Sequence, residues 1–362
     1  MLLSIYFNNP VIYLITIKFL FYFISPVLAP SLNNHNYAAA KKPTGVITSG
    51  PYKFKSWKSG SKIVLENNTH YKFGNPQRPD IEFYFIEDDT TALNLYDQGV
   101  LNFLRRVGVS DIPALSKNKD FIQLPMARMD YLGFGNELKP HHHLRKALAH
   151  ALDYKQLAKI YHALGRPGCP SLLQKYYGKP ICYDFDLKLA KKHFKQVPES
   201  LKKKRWKLYY SKLGGESIKK GMEWIQSQWK THLGLTVDLE PMETTSYLAK
   251  LTPSAPALFR KGVSIDRPTC RAALEIFNPD HRENYIHFNN KDYVTLVGQM
   301  DQSKPSNKSK CRKAIQTLMD SYVMLPMGEI HFSLRVRPEV TGWDLNELNQ
   351  LNLADLKVLT NK

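Results

Sequence analysis

Alternation of apolar and polar residues and flanking turn-forming residues predict β-strands at several points along the chain. In the clearest case, the stretches Lys53–Trp57 and Lys62–Glu66 flank the turn-forming residues Lys58–Ser61, which predicts a β-hairpin. Further strands are predicted at 79–86, 129–134, 206–211, 235–239 and 329–335.

Helical spacing of apolar residues is clearest at 144–165, where Leu144, Leu148 and Ile160 share a face and Gly165 ends the pattern. Other helices are predicted at 88–99, 110–117, 186–196, 216–233, 244–251 and 311–324.

The helix at 216–233 carries Met222, Ile225 and Trp229 on one side and lies between two predicted strands, which makes a βαβ unit. The expected fold class is therefore α/β with mixed sheets. We place a fold boundary near Gly165 and a return crossing near Pro326.

Residues 1–30 are strongly apolar, with Lys18 inside the apolar run and Pro30 after Ala29. This pattern departs from a standard signal peptide, and it is marginal for a membrane span. Three interpretations stay open: a degenerate signal or anchor, a buried helix of the fold interior, or a mistaken start.

The composition is that of a globular protein, with 43% hydrophobic and 23% charged residues. The formal net charge of +19 raises the possibility of a nucleic-acid or anionic-membrane surface, but the cations are dispersed. The densest run, Lys202–Arg205 with Lys191, Lys192 and Lys195 upstream, is expected to be the solvated end of a helix.

The chain has four cysteines and no zinc-type spacing of Cys and His. In an oxidising compartment three disulfide connectivities are open, and Cys169–Cys182 is the first choice because a Gly/Pro loop separates the two residues. In a reducing compartment all four would be buried thiols.

Signatures of catalysis are absent: there is no GxGxxG, GxxxxGK[ST], GxSxG or HExxH motif. We interpret His141–His143 as an exposed, extended loop and not as a metal site. Asp88 and Asp89 are interpreted as helix caps and not as paired catalytic acids. We therefore expect neither an enzyme nor a bound cofactor.

Several segments, in order, resemble the bacterial extracellular solute-binding proteins of family 5, the oligopeptide and dipeptide receptors of ABC importers. The matching segments are Thr48–Trp57 with Ile63–Asn68 and Tyr71, Leu95–Phe103, Tyr131–Phe134, Leu144–Asp153, Gly165–Gly168, Glu283–Tyr285, Asn289–Tyr293 and Leu325–Met327. The hairpin segment is the most specific of them.

The resemblance implies a two-lobed periplasmic-binding-protein fold of type II. Residues 31–165 would form lobe I, 166–325 lobe II and 326–362 the return to lobe I, after the apolar segment 1–30. Family members carry more chain before the hairpin than the 47 residues present here. The resemblance thus implies a chain that lacks the first part of lobe I and an extra subdomain.

The resemblance also implies a ligand site at residues 262–267. In oligopeptide receptors an Asp in this stretch pairs with the α-ammonium of the peptide, and Asp266 is the matching position. Gly262, Val263 and Ser264 would belong to a strand that pairs with the peptide, and Arg267 departs from the family pattern. A helix-capping role for Asp266 is the structural alternative.

The function implied is the substrate-binding component of an ABC importer that holds short peptides between two lobes and delivers them to a membrane permease. Location would be periplasmic or otherwise extracytoplasmic, and the protein would be a monomer without a nucleic-acid partner. Alternatives are a receptor for nickel, haem or a sugar, a non-functional remnant, or a cationic protein that binds nucleic acid or a membrane surface.

Overall fold

The computed structural model describes residues 2–7, 48–86, 88–161, 168–170, 174–213, 215–301 and 308–359, with the backbone alone at residues 2–7, 216 and 329. The chain divides into two compact units. Unit 1 comprises residues 1–124 and 332–362, and unit 2 comprises residues 125–331.

Among its described residues, unit 1 has more strand than helix. Its first part contains β1 (Leu2–Phe7), β2 (Tyr52–Lys58), β3 (Lys62–Asn67), β4 (Asp80–Phe85), α1 (Asp89–Asp97), β5 (Phe103–Leu104) and α2 (Ile112–Leu115). The chain then enters unit 2 within β6 (Phe121–Phe134).

Unit 2 has more helix than strand among its described residues. After a short 3₁₀ turn it contains α3 (His142–His150), α4 (Tyr154–Tyr161), α5 (Gln174–Tyr177), α6 (Leu187–Lys195), α7 (Glu199–Lys203), β7 (Trp206–Ser211), α8 (Gly215–Leu233), β8 (Val237–Met242), α9 (Thr244–Leu251), β9 (Leu258–Ser264), α10 (Cys270–Glu275), α11 (Lys291–Gly298) and α12 (Lys308–Asp320). The chain returns to unit 1 within β10 (Met324–Val336), and four two-residue strands follow: β11 (Val340–Thr341), β12 (Asp344–Leu345), β13 (Leu351–Asn352) and β14 (Lys357–Val358).

The sheet of unit 1 has the strand order β2-β3-β4-β1-β5-β10. The predicted hairpin is confirmed: β2 and β3 pair antiparallel, and Gly60 adopts a φ of +71° in the turn between them.

β1, from the segment for which three interpretations were open, pairs parallel with both β4 and β5. Residues 8–30 of that segment lie outside the described residues.

The interpretation of Asp88 as a helix cap is confirmed, because its carboxylate accepts the Thr91 amide hydrogen at 2.7 Å at the start of α1. Asp89 differs from this interpretation. It lies in the first turn of the helix and pairs with the guanidinium of Arg106 at 2.8 Å.

The sheet of unit 2 is mixed, as predicted. β9 pairs antiparallel with β6 and parallel with β7, and β7 pairs parallel with β8. The predicted βαβ unit is β7-α8-β8. In α8, Met222, Ile225 and Trp229 are fully buried, which confirms the side of the helix predicted to face the core.

The prediction of one helix over 144–165 is wrong. The structure has two helices, α3 and α4, separated by residues 151–153. Asp153 accounts for the break, since its carboxylate accepts the amide hydrogens of Lys155 at 2.9 Å and Gln156 at 3.3 Å. This caps the amino end of α4, although apolar spacing continues through the break.

The unit boundaries differ from those expected. The first crossing lies at residues 124 and 125, inside β6, whereas the boundary was expected near Gly165, a residue outside the described ranges. The reason is packing: α3 contacts α6, α4 contacts α8, and the Trp229 indole of α8 donates to the Leu148 carbonyl at 3.0 Å. These buried contacts tie α3 and α4 to the helices of unit 2.

Two disulfides lie in unit 2. Cys169–Cys182 is the pair chosen first from the sequence, and Cys270–Cys311 joins α10 to α12. Among the helices within the described ranges, none has both the length and the apolar character needed to cross a membrane.

The contact of β6 with β9 makes a testable prediction. A Cβ at Gly133 would overlap the ring of Phe259, which is fully buried, so Gly133→Ala forces the core to shift. We expect a loss of about 1–3 kcal/mol in the free energy of unfolding, measured by urea denaturation. Gly298→Ala is the control, because a Cβ there meets no atom within 4 Å. A Gly133→Ala protein as stable as its parent would contradict this packing.

Candidate functional site

The candidate site lies along β9, which has different neighbours on its two sides. β6 pairs with β9 over its full length, from Phe134↔Leu258 to Arg128↔Ser264. β7 pairs with β9 only at Leu258 and Phe259. Of the strands in the described part of the chain, none lies beside residues 260–264 on the β7 side.

The backbone of this open edge has a defined orientation. The amide of Ile265 donates to the Ala127 carbonyl at 3.3 Å, so Ile265 points towards β6. Because backbone groups alternate along a strand, those of Gly262 and Ser264 point away from β6. At Arg260 the outward carbonyl already accepts from the hydroxyl of Tyr247, and the Gly262 carbonyl accepts from the Lys261 ammonium at 3.1 Å. The edge available for pairing is therefore short and centred on residues 262–264.

Asp266 lies just beyond the carboxyl end of this edge and is exposed, with 79% of its side chain accessible. Arg267 Nε donates to its carboxylate at 3.2 Å, and the same guanidinium binds Glu275. The helix-capping alternative for Asp266 is wrong. The Thr269 hydroxyl caps α10 by accepting the Ala272 amide hydrogen at 3.2 Å.

Sequence reasoning missed a buried charge cluster beside Gly262, formed by Arg128, Asp130 and Arg260. Asp130 is 1% exposed; its carboxylate binds Arg260 and lies 3.2 Å from Arg128 Nε. Arg260 is also buried, and its Nε has no hydrogen-bond partner among the described residues. Burial, reinforced by the charge of Arg128, lowers the pKa of Arg260. Two guanidinium groups against one carboxylate leave an excess positive charge.

Gly262 makes room for this cluster. A Cβ at this position would lie 2.7 Å from Asp130 Oδ1 and closer still to the guanidinium of Arg128. Glycine at 262 therefore lets three charged side chains share one face of the β6–β9 ladder. Charges at alternate positions of a buried strand, as at Arg128 and Asp130, were the sequence signal available for the cluster.

The opposite face of the ladder carries Lys261 and Tyr131, which are paired in register. The Lys261 ammonium lies 4.0 Å from the Glu283 carboxylate and 5.6 Å from the centre of the Tyr285 ring. Burial lowers the pKa of Lys261, and Glu283 opposes this effect. The Tyr131 hydroxyl is buried without a hydrogen-bond partner in the described ranges.

The histidine run does not form the extended loop that was expected. His142 and His143 lie in the first turn of α3, and His143 Nδ1 is 3.0 Å from His193 Nδ1 of α6. Among the side chains that the structure describes, no three His, Cys, Asp or Glu residues are arranged to hold a metal ion.

Comparison with protein families gives one match over most of the chain. Residues 4–279 match the family described as bacterial extracellular solute-binding proteins, family 5 Middle.

Curated relatives share low but extensive identity with this chain. The oligopeptide-binding protein OppA of Bacillus subtilis is 23% identical over 350 residues, which cover 91% of this chain and 64% of that protein. The probable deoxycholate-binding periplasmic protein YgiS of Escherichia coli is 24% identical over 321 residues, covering 84% and 59%. The chain therefore spans about three-fifths of the length of these relatives.

Solved structures show the same fold. The ABC transporter substrate-binding protein CtaP of Listeria monocytogenes matches with a TM-score of 0.75 at 23% identity, covering 92% of this chain and 71% of that one. A periplasmic oligopeptide-binding protein of Borrelia burgdorferi gives 0.75 at 24% identity, covering 92% and 69%. This likeness confirms the two-lobed periplasmic-binding-protein fold expected from the sequence.

The charge cluster makes a testable prediction. Asp130→Ala leaves the two guanidinium groups facing each other without a carboxylate, so we expect a loss of about 3–5 kcal/mol in the free energy of unfolding. Urea denaturation measures it. Asp238→Ala is the control, because it breaks the exposed Arg205–Asp238 pair in the same unit and should change stability little. Equal losses in the two variants would contradict the burial of the cluster.

Proposed function

We propose, because this chain belongs to the bacterial extracellular solute-binding proteins of family 5, that it binds short peptides along the open edge of β9. It would act outside the cytoplasm as the substrate-binding component of an ABC importer and pass its ligand to a membrane permease. The observation that carries the proposal is the edge at residues 262–264, which no described strand covers.

A peptide suits such an edge because an extended chain brings its own row of backbone donors and acceptors. Pairing with Gly262 and Ser264 would satisfy groups on both chains, whatever the peptide side chains are. This kind of recognition gives affinity without strict sequence specificity. It also needs no nucleophile and no cofactor, so the proposed protein is a receptor and not an enzyme.

The positive cluster beside Gly262 and the carboxylate of Asp266 beyond Ser264 suit the two charged ends of a peptide. Asp266 would pair with the α-ammonium, and the excess positive charge of Arg128 and Arg260 would attract the carboxylate. Along an extended chain, Arg260 and Asp266 are at most about 20 Å apart, at roughly 3.3 Å per residue. That distance suits peptides of up to about six residues.

Arg267 competes with an incoming ammonium for Asp266, and the structure contains a way to relieve that competition. The guanidinium of Arg267 contacts Glu275 as well as Asp266. When a peptide ammonium binds Asp266, Arg267 can give up its contact with Asp266 and remain paired with Glu275. The exchange would weaken ammonium binding but would not abolish it.

Binding of alanine pentapeptide to the full chain, measured by calorimetry, tests the role of Asp266. We expect Asp266→Asn to weaken binding by about tenfold to a hundredfold, the range for one hydrogen bond to a charged group. N-acetylation of the peptide should weaken binding to the parent protein by a similar factor and have little effect on the variant. Asp280→Asn, another exposed acid of unit 2, is the matched control and should bind normally.

Two outcomes would count against the proposal in different ways. Equal binding of free and acetylated peptide to the parent protein would mean that Asp266 does not bind the peptide ammonium. A cooperative thermal melt that no peptide shifts, while nickel, haem or a sugar shifts it, would replace peptide as the ligand class.

A further inference from the structure

Helix α6 presents a row of lysines to solvent. Its exposed cations follow helical spacing and occupy one side over two turns: Lys188, Lys191, Lys192 and Lys195, here called the lysine face. Ala190 is fully buried, and the helix packs against α3 and α8. The lysine face is therefore held outward by packing on the other side of the helix.

The lysines of this face take part in no ion pair within the described ranges. By contrast, five of the six cations at positions 202–212 contact a carboxylate, Lys203 being the exception: Lys202 with Glu199, Lys204 with Glu137, Arg205 with Asp238, Lys207 with Glu240 and Lys212 with Glu243. Asp186 is the acid nearest in the sequence, and its carboxylate caps α6 by accepting the Leu189 amide hydrogen at 3.0 Å.

The surroundings strengthen the positive potential. Between residues 184 and 205, eight Lys and Arg residues stand against three Asp and Glu residues. Like charges three and four positions apart repel one another on a helix, so the lysine face lowers the stability of α6 unless an anionic partner neutralises it. Phe185, directly before the capping residue, adds a large apolar side chain that is 43% exposed.

We propose that the lysine face docks unit 2 on an anionic membrane surface, with the ammonium groups among lipid phosphates and Phe185 at the headgroup level. A fixed basic helix with an exposed aromatic residue is the pattern of interfacial binding. Lysine suits this partner because its ammonium acts as a point charge, whereas planar recognition of nucleic-acid phosphates and bases favours arginine. The family is extracellular, which also favours a lipid partner over nucleic acid.

The test is co-sedimentation of the full chain with vesicles of 30% phosphatidylglycerol in phosphatidylcholine, compared with pure phosphatidylcholine. We expect binding only to the anionic vesicles, falling as NaCl rises from 0.05 to 0.5 M. Each lysine changed to Gln should lower partitioning roughly fivefold, so the fourfold variant K188Q/K191Q/K192Q/K195Q should show no binding. Phe185→Ala should weaken binding further at constant charge.

The control removes the same number of charges elsewhere, in the exposed set K117Q/K119Q/K291Q/K313Q. It should keep most of the binding, and both fourfold variants should bind peptide like the parent, which separates this test from that of the proposed function. Equal losses of vesicle binding in the two fourfold variants would mean that net charge alone determines binding, which would overturn the proposal. So would undiminished vesicle binding of the lysine-face variant, or a preference of the lysine face for duplex DNA over anionic vesicles.

Discussion

The unequal pairing of the two edges of β9 shapes the candidate site. Backbone N–H and C=O groups of a strand pair with a neighbouring strand, a side chain or water, and β9 has a strand partner along its whole length only on the β6 side. On the other side β7 pairs with β8 to the end of both strands, but it pairs with β9 only as far as Phe259. The unpaired edge that results is short and is flanked by charged side chains.

The charged side chains beside this edge are distributed unequally along it. The cluster of Arg128, Asp130 and Arg260 is compact because Gly262 has no side chain, and it leaves one positive charge in excess. Asp266, beyond the carboxyl end of the edge, is exposed and shares Arg267 with Glu275. A zwitterionic chain in extended form would have one preferred orientation on such an edge. In the proposed site the buried cluster would serve recognition as well as folding, so variants there must be judged by both stability and binding.

The sequence predicted what depends on neighbouring residues and missed what depends on distant ones. The β2–β3 hairpin, the cap at Asp88 and the buried side of α8 follow from local alternation, turn residues and helical spacing. The break between α3 and α4 was missed because apolar spacing continues across Asp153. The charge cluster was missed because it requires the register of β6 against β9, strands whose closest residues are 124 positions apart in the sequence. The first crossing between units was misplaced because it depends on how α3 and α4 pack against α6 and α8.

Amide hydrogen exchange of β9, with and without a bound pentapeptide, shows whether the ligand pairs with the open edge. We expect saturating peptide to slow exchange at Gly262 and Ser264 by at least about tenfold, while the amides of β8 keep their rates. A peptide that raises the melting temperature but leaves the exchange of residues 262–264 unchanged would contradict pairing at this edge, because that peptide would be bound elsewhere.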